Sequence, residues 1–117
     1  MILELQKSQP ATDICLLMFS GKLMMGSESR QVEWNVAELL KAGVKKIVFD
    51  LSRMDSIDST GVGILVMCEG KARKAGGEIR IAGPVGLVKD TLIMTHVDRL
   101  VRVFPDVTEA TKDFHVA

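Results

Sequence analysis

The chain alternates short apolar runs with turn-forming segments, and the spacing of its apolar positions predicts an α/β protein. Leu3 and Leu5, and with them Lys7, alternate with Glu4 and Gln6 in a short strand pattern before Pro10. Asp13 to Ser20 (DICLLMFS) is more continuously apolar, as expected of a strand covered on both faces. The turn chemistry of Gln9 to Asp13 between them predicts an antiparallel pair, and Gly21 is expected to break the second strand. Ser27 is a plausible N-cap for a helix to about Ala42, with Glu28 and Lys41 placed to complement the helix dipole. Val32, Val36, Leu39 and Leu40 share one face, Trp34 lies off that stripe, and Gly43 supplies the stop.

Lys46 to Leu51 is a β-branched and aromatic strand, followed by a connection over Ser52 to Ile57. A second helix is expected from about Thr60 to Ala75, closed by Gly76-Gly77, and Glu78 to Ala82 (EIRIA) is the next strand. A strand, helix and strand joined this closely form a right-handed βαβ unit with parallel pairing. Gly83-Pro84 opens a third helix to about His96, with Val85, Val88, Leu92 and Thr95 spaced for burial. Val101 to Phe104 is a final short strand, and Thr108 to Phe114 a terminal helix of about two turns. The expected architecture is a mixed sheet of about five strands with three to four helices, in a single domain over residues 1–117.

Composition narrows the function classes. The 117 residues carry 15 Lys+Arg against 15 Asp+Glu, and a balanced charge argues against nucleic acid as a partner, since duplex binders carry a basic excess. With 47% hydrophobic and 26% charged residues, a packed core is expected and disorder is not. The longest apolar run, Gly61 to Cys68, is too short to span a bilayer, and the opening MILELQKSQP lacks a signal-peptide pattern. Cys15 and Cys68 have no Cys or His at ligand spacing, so neither a metal site nor a disulfide framework is expected. These features predict a cytoplasmic protein without direct membrane insertion.

The informative segment is Met54 to Gly63, MDSIDSTGVG, which follows a strand and opens a helix. Asp58 can accept from first-turn amides as an N-cap, leaving the Ser59 hydroxyl near the first helical position. Unpaired helix-end N–H groups there favour an anion. Gly61 and Gly63 each lower helix propensity by about 1 kcal/mol relative to Ala, a choice more easily explained where another surface must approach closely. Ile64, Leu65, Cys68 and Ala72 form the expected core stripe; Val62, Val66 and Met67 lie off it and could form a small apolar docking patch beside Ser59. Asp-Ser-Thr-Gly is also ordinary capping sequence, and a helix buried on two sides would equally explain the apolar faces. Local chemistry therefore nominates a site without assigning it.

Ile57 to Leu65 (IDSTGVGIL), after the strand Ile47 to Leu51, resembles the STAS domain of bacterial anti-sigma-factor antagonists. The order of elements matches over nearly the whole chain, including Ser20-Gly21-Lys22-Leu23 and Gly76 to Gly83. The resemblance implies a partner switch. The unphosphorylated antagonist binds an anti-sigma factor that is itself a serine kinase, and so frees the sigma factor. Phosphorylation of the serine after the motif's Asp dissociates the complex, and a metal-dependent serine phosphatase resets it. Carried onto this chain, Ser59 is the phosphorylation site and Asp58 the preceding acid; with the apolar helix face beside them, Asp58, Ser59, Thr60, Gly61, Val62 and Val66 form the expected partner surface. Family members often carry an acid after the Gly-x-Leu that ends the second strand; here Gly21-Lys22-Leu23 is followed by Met24 and Met25. A flexible Met pair suits an adaptable contact, so both join the partner-binding set. The alternative is a constitutive STAS adaptor in a signalling or lipid-transport assembly, without phospho-regulation.

No enzyme is expected. Gly83-Pro84-Val85-Gly86 lacks the ending of a phosphate-binding loop. His96 and His115 have no partner acid or nucleophile at recognisable spacing, and Gly-x-Ser-x-Gly is absent. Neither a catalytic set nor a cofactor motif is apparent. Lys71 to Lys74 is a short basic cluster at a helix end, as dipole compensation requires.

Overall fold

A computed structural model describes residues 3–26 and 29–116; the N-cap expected at Ser27 and the acid at Glu28 lie outside the described residues. Five strands form one mixed sheet in the order of the chain, β1 (Glu4–Ala11), β2 (Ile14–Leu23), β3 (Lys46–Ile57), β4 (Glu78–Ala82) and β5 (Arg102–Phe104). The first pair is antiparallel and the remaining three are parallel. Four α-helices connect or follow them, α1 (Ser29–Lys41), α2 (Ser59–Lys74), α3 (Gly86–Met94) and α4 (Val107–Thr111), with a 3-10 turn at Val97–Arg99.

Strand periodicity divides the core into two layers, because successive side chains point to opposite sheet faces. Leu17, Phe19, Ile47, Phe49, Ile79 and Ile81 pack with Val32 and Val36 of α1, Leu65 and Cys68 of α2, and Val88 and Leu92 of α3. Phe19 and Phe49 meet at a centroid distance of 5.0 Å with their rings tilted by 59°. The intervening residues Ile14, Leu16, Val48 and Ala82 pack with Ala110 of α4 and with Phe114. Trp34 stays outside this packing, 63% exposed on α1.

Several boundaries differ from those the sequence predicts. Gly21 does not end β2. It takes φ +92°, and register shifts between Met18 and Ser20 and between Gly21 and Lys22 carry the strand on to Leu23; glycine accommodates this conformation without a Cβ clash. Its partner β3 correspondingly runs six residues past Leu51, through the segment expected to be a connection, with Arg53, Met54, Ser56 and Ile57 opposite Ser20, Gly21, Lys22 and Leu23. This extension sets the start of α2 beside the end of β2, where the Asp58 N–H donates to the Leu23 carbonyl.

The third helix begins at Gly86 rather than Gly83-Pro84, which form a buried turn with Gly83 at φ +68°. Val85 has extended backbone and is exposed, and Thr95 is exposed with its hydroxyl donating to the Thr91 carbonyl at 2.7 Å. His96 in the left-handed conformation (φ +57°) ends the run, and Val97 takes the buried position instead. The terminal helix is the shorter Val107–Thr111, capped by Asp106, whose carboxylate accepts from the Glu109 N–H at 2.8 Å.

Candidate functional site

The β2 and β3 extensions end side by side, and α2 starts at that junction. Asp58 has extended backbone and caps the helix, its Oδ1 accepting from the Gly61 N–H at 2.8 Å. Its Oδ2 accepts from the Met25 N–H at 3.1 Å, and its own N–H donates to the Leu23 carbonyl at 3.3 Å. One aspartate therefore joins the end of β2, the Met24–Met25 segment and the first turn of α2. Sequence reasoning finds the cap but not the contact with Met25, because no local spacing signals a hydrogen bond across 33 residues.

The nominated residues separate by exposure. Ser59 and Thr60 are exposed and Asp58 is half-buried. Met24 and Met25 are exposed, Met25 at 79%, and Met67 is also open. Val66 is half-buried against the core. Val62 is 7% exposed and Gly61 is buried, so neither presents a side chain to a docking partner: Val62 belongs to the core stripe rather than to an outer patch. The two glycines also have different reasons. A Cβ on Gly61 would lie 2.3 Å from the Leu23 carbonyl oxygen and 2.7 Å from Ile57 Cγ1, so the surface approaching closely is the chain's own β2. A Cβ on Gly63 would have no neighbour within 4 Å. The outward-facing residues at this junction are thus Ser59, Thr60 and Gly63 of α2 with Met24 and Met25 beside the cap, and Met67 is exposed further along the same helix.

Negative charge accompanies the Ser59 hydroxyl. Asp58 precedes it and Asp55 is exposed three residues before that. The basic cluster lies at the other end of α2, where Arg73 pairs with the buried Glu69; Glu69 also accepts from the Ile79 N–H at 2.9 Å, joining α2 to β4. Among the described residues there is no group of three His, Cys, Asp or Glu placed to hold a metal ion, and both cysteines are free. No described helix is long and apolar enough to cross a membrane.

Comparisons with known proteins agree on this architecture. The STAS domain family model matches residues 6–110. A candidate anti-sigma factor antagonist of Thermotoga maritima is 29% identical over 101 residues, covering 86% of this chain and 89% of that protein. A crystal structure of a candidate anti-sigma factor antagonist from the same organism superposes with a TM-score of 0.83 at 26% identity, covering 94% of this chain and 93% of that one. The anti-sigma factor antagonist SpoIIAA in its unphosphorylated form shares the fold with a TM-score of 0.69 at 19% identity, over 91% of each chain.

Proposed function

This chain belongs to the STAS domain family, and we propose that it is an anti-sigma factor antagonist switched by phosphorylation of Ser59. In this reading the unmodified protein docks an anti-sigma factor with serine-kinase activity through Ser59, Thr60, Met24 and Met25, and a metal-dependent serine phosphatase restores the docking form. The observation that carries the reading is the exposed Ser59 at the first position of a helix whose cap, Asp58, also holds the Met pair beside it. The similarity to the Thermotoga maritima relative supports the class of partner.

The physics of such a switch follows from the surroundings of the hydroxyl. Phosphorylation adds about −1.5 to −2 charges beside the exposed Met24–Met25 segment that Asp58 ties to the start of α2. Asp58, the preceding residue, places like charge beside it, and Asp55 is exposed four residues earlier. Burying the dianion in an interface is therefore unfavourable, while in the free protein the helix end stabilises it by about 1 kcal/mol. Both effects favour the separated state, and no rearrangement of the fold is required.

The test combines capture and labelling. Immobilised unmodified protein retains an anti-sigma factor from cell extract, that partner and ATP label Ser59, and Ser59→Asp abolishes retention. Equal retention by Ser59→Asp overturns the switch and leaves the constitutive adaptor.

A further inference from the structure

We propose that the protein forms a two-fold symmetric dimer through the groove between α3 and β5, remote in sequence from Ser59. The groove is a cleft of about 400 Å³. Leu92, Val103 and Phe104 line it together with Val85 and Ile93, and the last two are 55% and 59% exposed. The same segment leaves Leu87, Met94 and Leu100 more than half exposed. Five of the nine exposed large hydrophobic side chains among the described residues therefore fall in the segment between positions 85 and 100 that builds one wall of the groove, and two of them, Val85 and Ile93, line it.

Charge selects a second copy as the occupant. Lys89 and Asp98 both line the groove, both are exposed, and neither takes part in an ion pair among the described residues. In an isologous interface each contact occurs twice, residue i meeting j and j meeting i. One cation and one anion flanking an apolar groove meet that requirement: Lys89 of each copy faces Asp98 of the other. A partner of strong single-sign charge would leave one of the two opposed by like charge. The chain as a whole has no net charge, 15 cationic against 15 anionic side chains, so two copies approach without long-range repulsion.

Sedimentation equilibrium over a concentration series tests the proposal, with the charges exchanged in turn. The wild type is expected to approach twice the monomer mass. Ile93→Lys, a change at an exposed site that leaves the core intact, is expected to remain monomeric. Lys89→Asp and Asp98→Lys each place like charges at both symmetric contacts and weaken the dimer at least about tenfold. The double exchange restores opposite charges and recovers most of the loss. Ser59→Asp leaves the association unchanged, so this outcome and that of the phosphorylation switch are read independently. A wild type that stays monomeric up to about 1 mM overturns the proposal and leaves the groove to a different protein. A dimer that survives Ile93→Lys, or a double exchange no better than either single reversal, overturns it equally.

Discussion

The Asp58 carboxylate accepts from the backbone N–H of Met25 at 3.1 Å while its other oxygen caps α2 at Gly61. The two contacts make one side chain responsible both for starting a helix and for holding the segment that follows β2. An N-cap alone contributes about 1 kcal/mol, and a hydrogen bond to a charged acceptor about 1.5–3 kcal/mol, the lower figure applying at an exposed position such as Met25. Asp58→Ala is therefore expected to lower unfolding free energy by about 2 kcal/mol in urea titration, with faster hydrogen exchange at the amides of Met25 and Gly61. Asp58→Asn keeps one acceptor oxygen and recovers the cap but not both contacts. Exchange accelerated at Gly61 alone would show that the Met25 contact contributes nothing.

Gly61 and Gly63 are two residues apart on the same helix and respond oppositely to the same change. At Gly61 the added methyl group meets backbone, the Leu23 carbonyl, which cannot swing aside as a flexible side chain would. Gly61→Ala is expected to destabilise by more than about 2 kcal/mol through overpacking, and to disturb the β2–α2 junction. At Gly63 the space is open, so Gly63→Ala gains helix propensity, up to about 1 kcal/mol. Paired thermal melts decide it. A gain at Gly63 accompanied by weaker partner capture would show that the outer surface needs the missing side chain.

The contrast between these glycines marks how far the sequence can be followed. Helical and strand periods locate Val32, Val36 and Leu39 on α1 and the uninterrupted EIRIA strand, and the βαβ connection then fixes parallel pairing. Asp-Ser-Thr-Gly identifies the start of α2. The β3 extension escapes detection because Ser52, Arg53 and Asp55 are exposed and the segment pairs along one edge with β2 alone, so it lacks the apolar signature of a central strand. Val62 is assigned to an outer face by periodicity because the β2 end, which covers the first turn of α2 at Gly61 and Asp58, leaves no local trace in the helix sequence.

Arg80 is the other residue that local pattern does not disclose. It alternates with Ile79 and Ile81 in β4, yet only 2% of it is exposed. Its guanidinium lies 3.9 Å from the Phe114 ring centroid and 5.0 Å from that of Phe104. Nε is 3.2 Å from Glu78, and one terminal nitrogen donates to the carbonyls of Ala110 and Lys112 at 3.0 and 3.2 Å. Arg80 thus holds the chain after α4 against the sheet. Arg80→Ala removes the stacking and leaves the buried Glu78 with Arg102 alone, whose nearest nitrogen is 3.9 Å away, and is expected to cost about 3 kcal/mol. Hydrogen exchange should accelerate first at the amides near Ala110 and Phe114. Arg80→Met with Glu78→Gln removes both charges and keeps apolar volume, and is expected to recover much of that loss; failure to recover would assign the main effect to the hydrogen bonds at Ala110 and Lys112.

Cys68 supplies a pH-dependent prediction whose sign is fixed by burial. Desolvation between α2 and the sheet, reinforced by the nearby Glu33 charge, pushes its thiol from 9.0 up to about 12. Below pH 9 both folded and unfolded chains hold the proton, and the group adds nothing to the pH dependence. Above pH 9 the unfolded chain releases it while the folded chain does not. Stability contributed by the protonated thiol is therefore lost as pH rises from about 9 towards about 12, by at most about 1.4 kcal/mol per pH unit. Other alkaline titrations act on wild type and variant alike, so the difference between wild type and Cys68→Ala isolates this contribution: the gap in unfolding free energy is constant from pH 6 to 8 and narrows above pH 9. The same burial predicts that a thiol reagent at pH 8 modifies the half-exposed Cys15 in the native protein and reaches Cys68 only in urea. A gap that stays constant through pH 11, or native-state modification of Cys68 at the rate of Cys15, would show that α2 opens from the sheet far more readily than its packing implies.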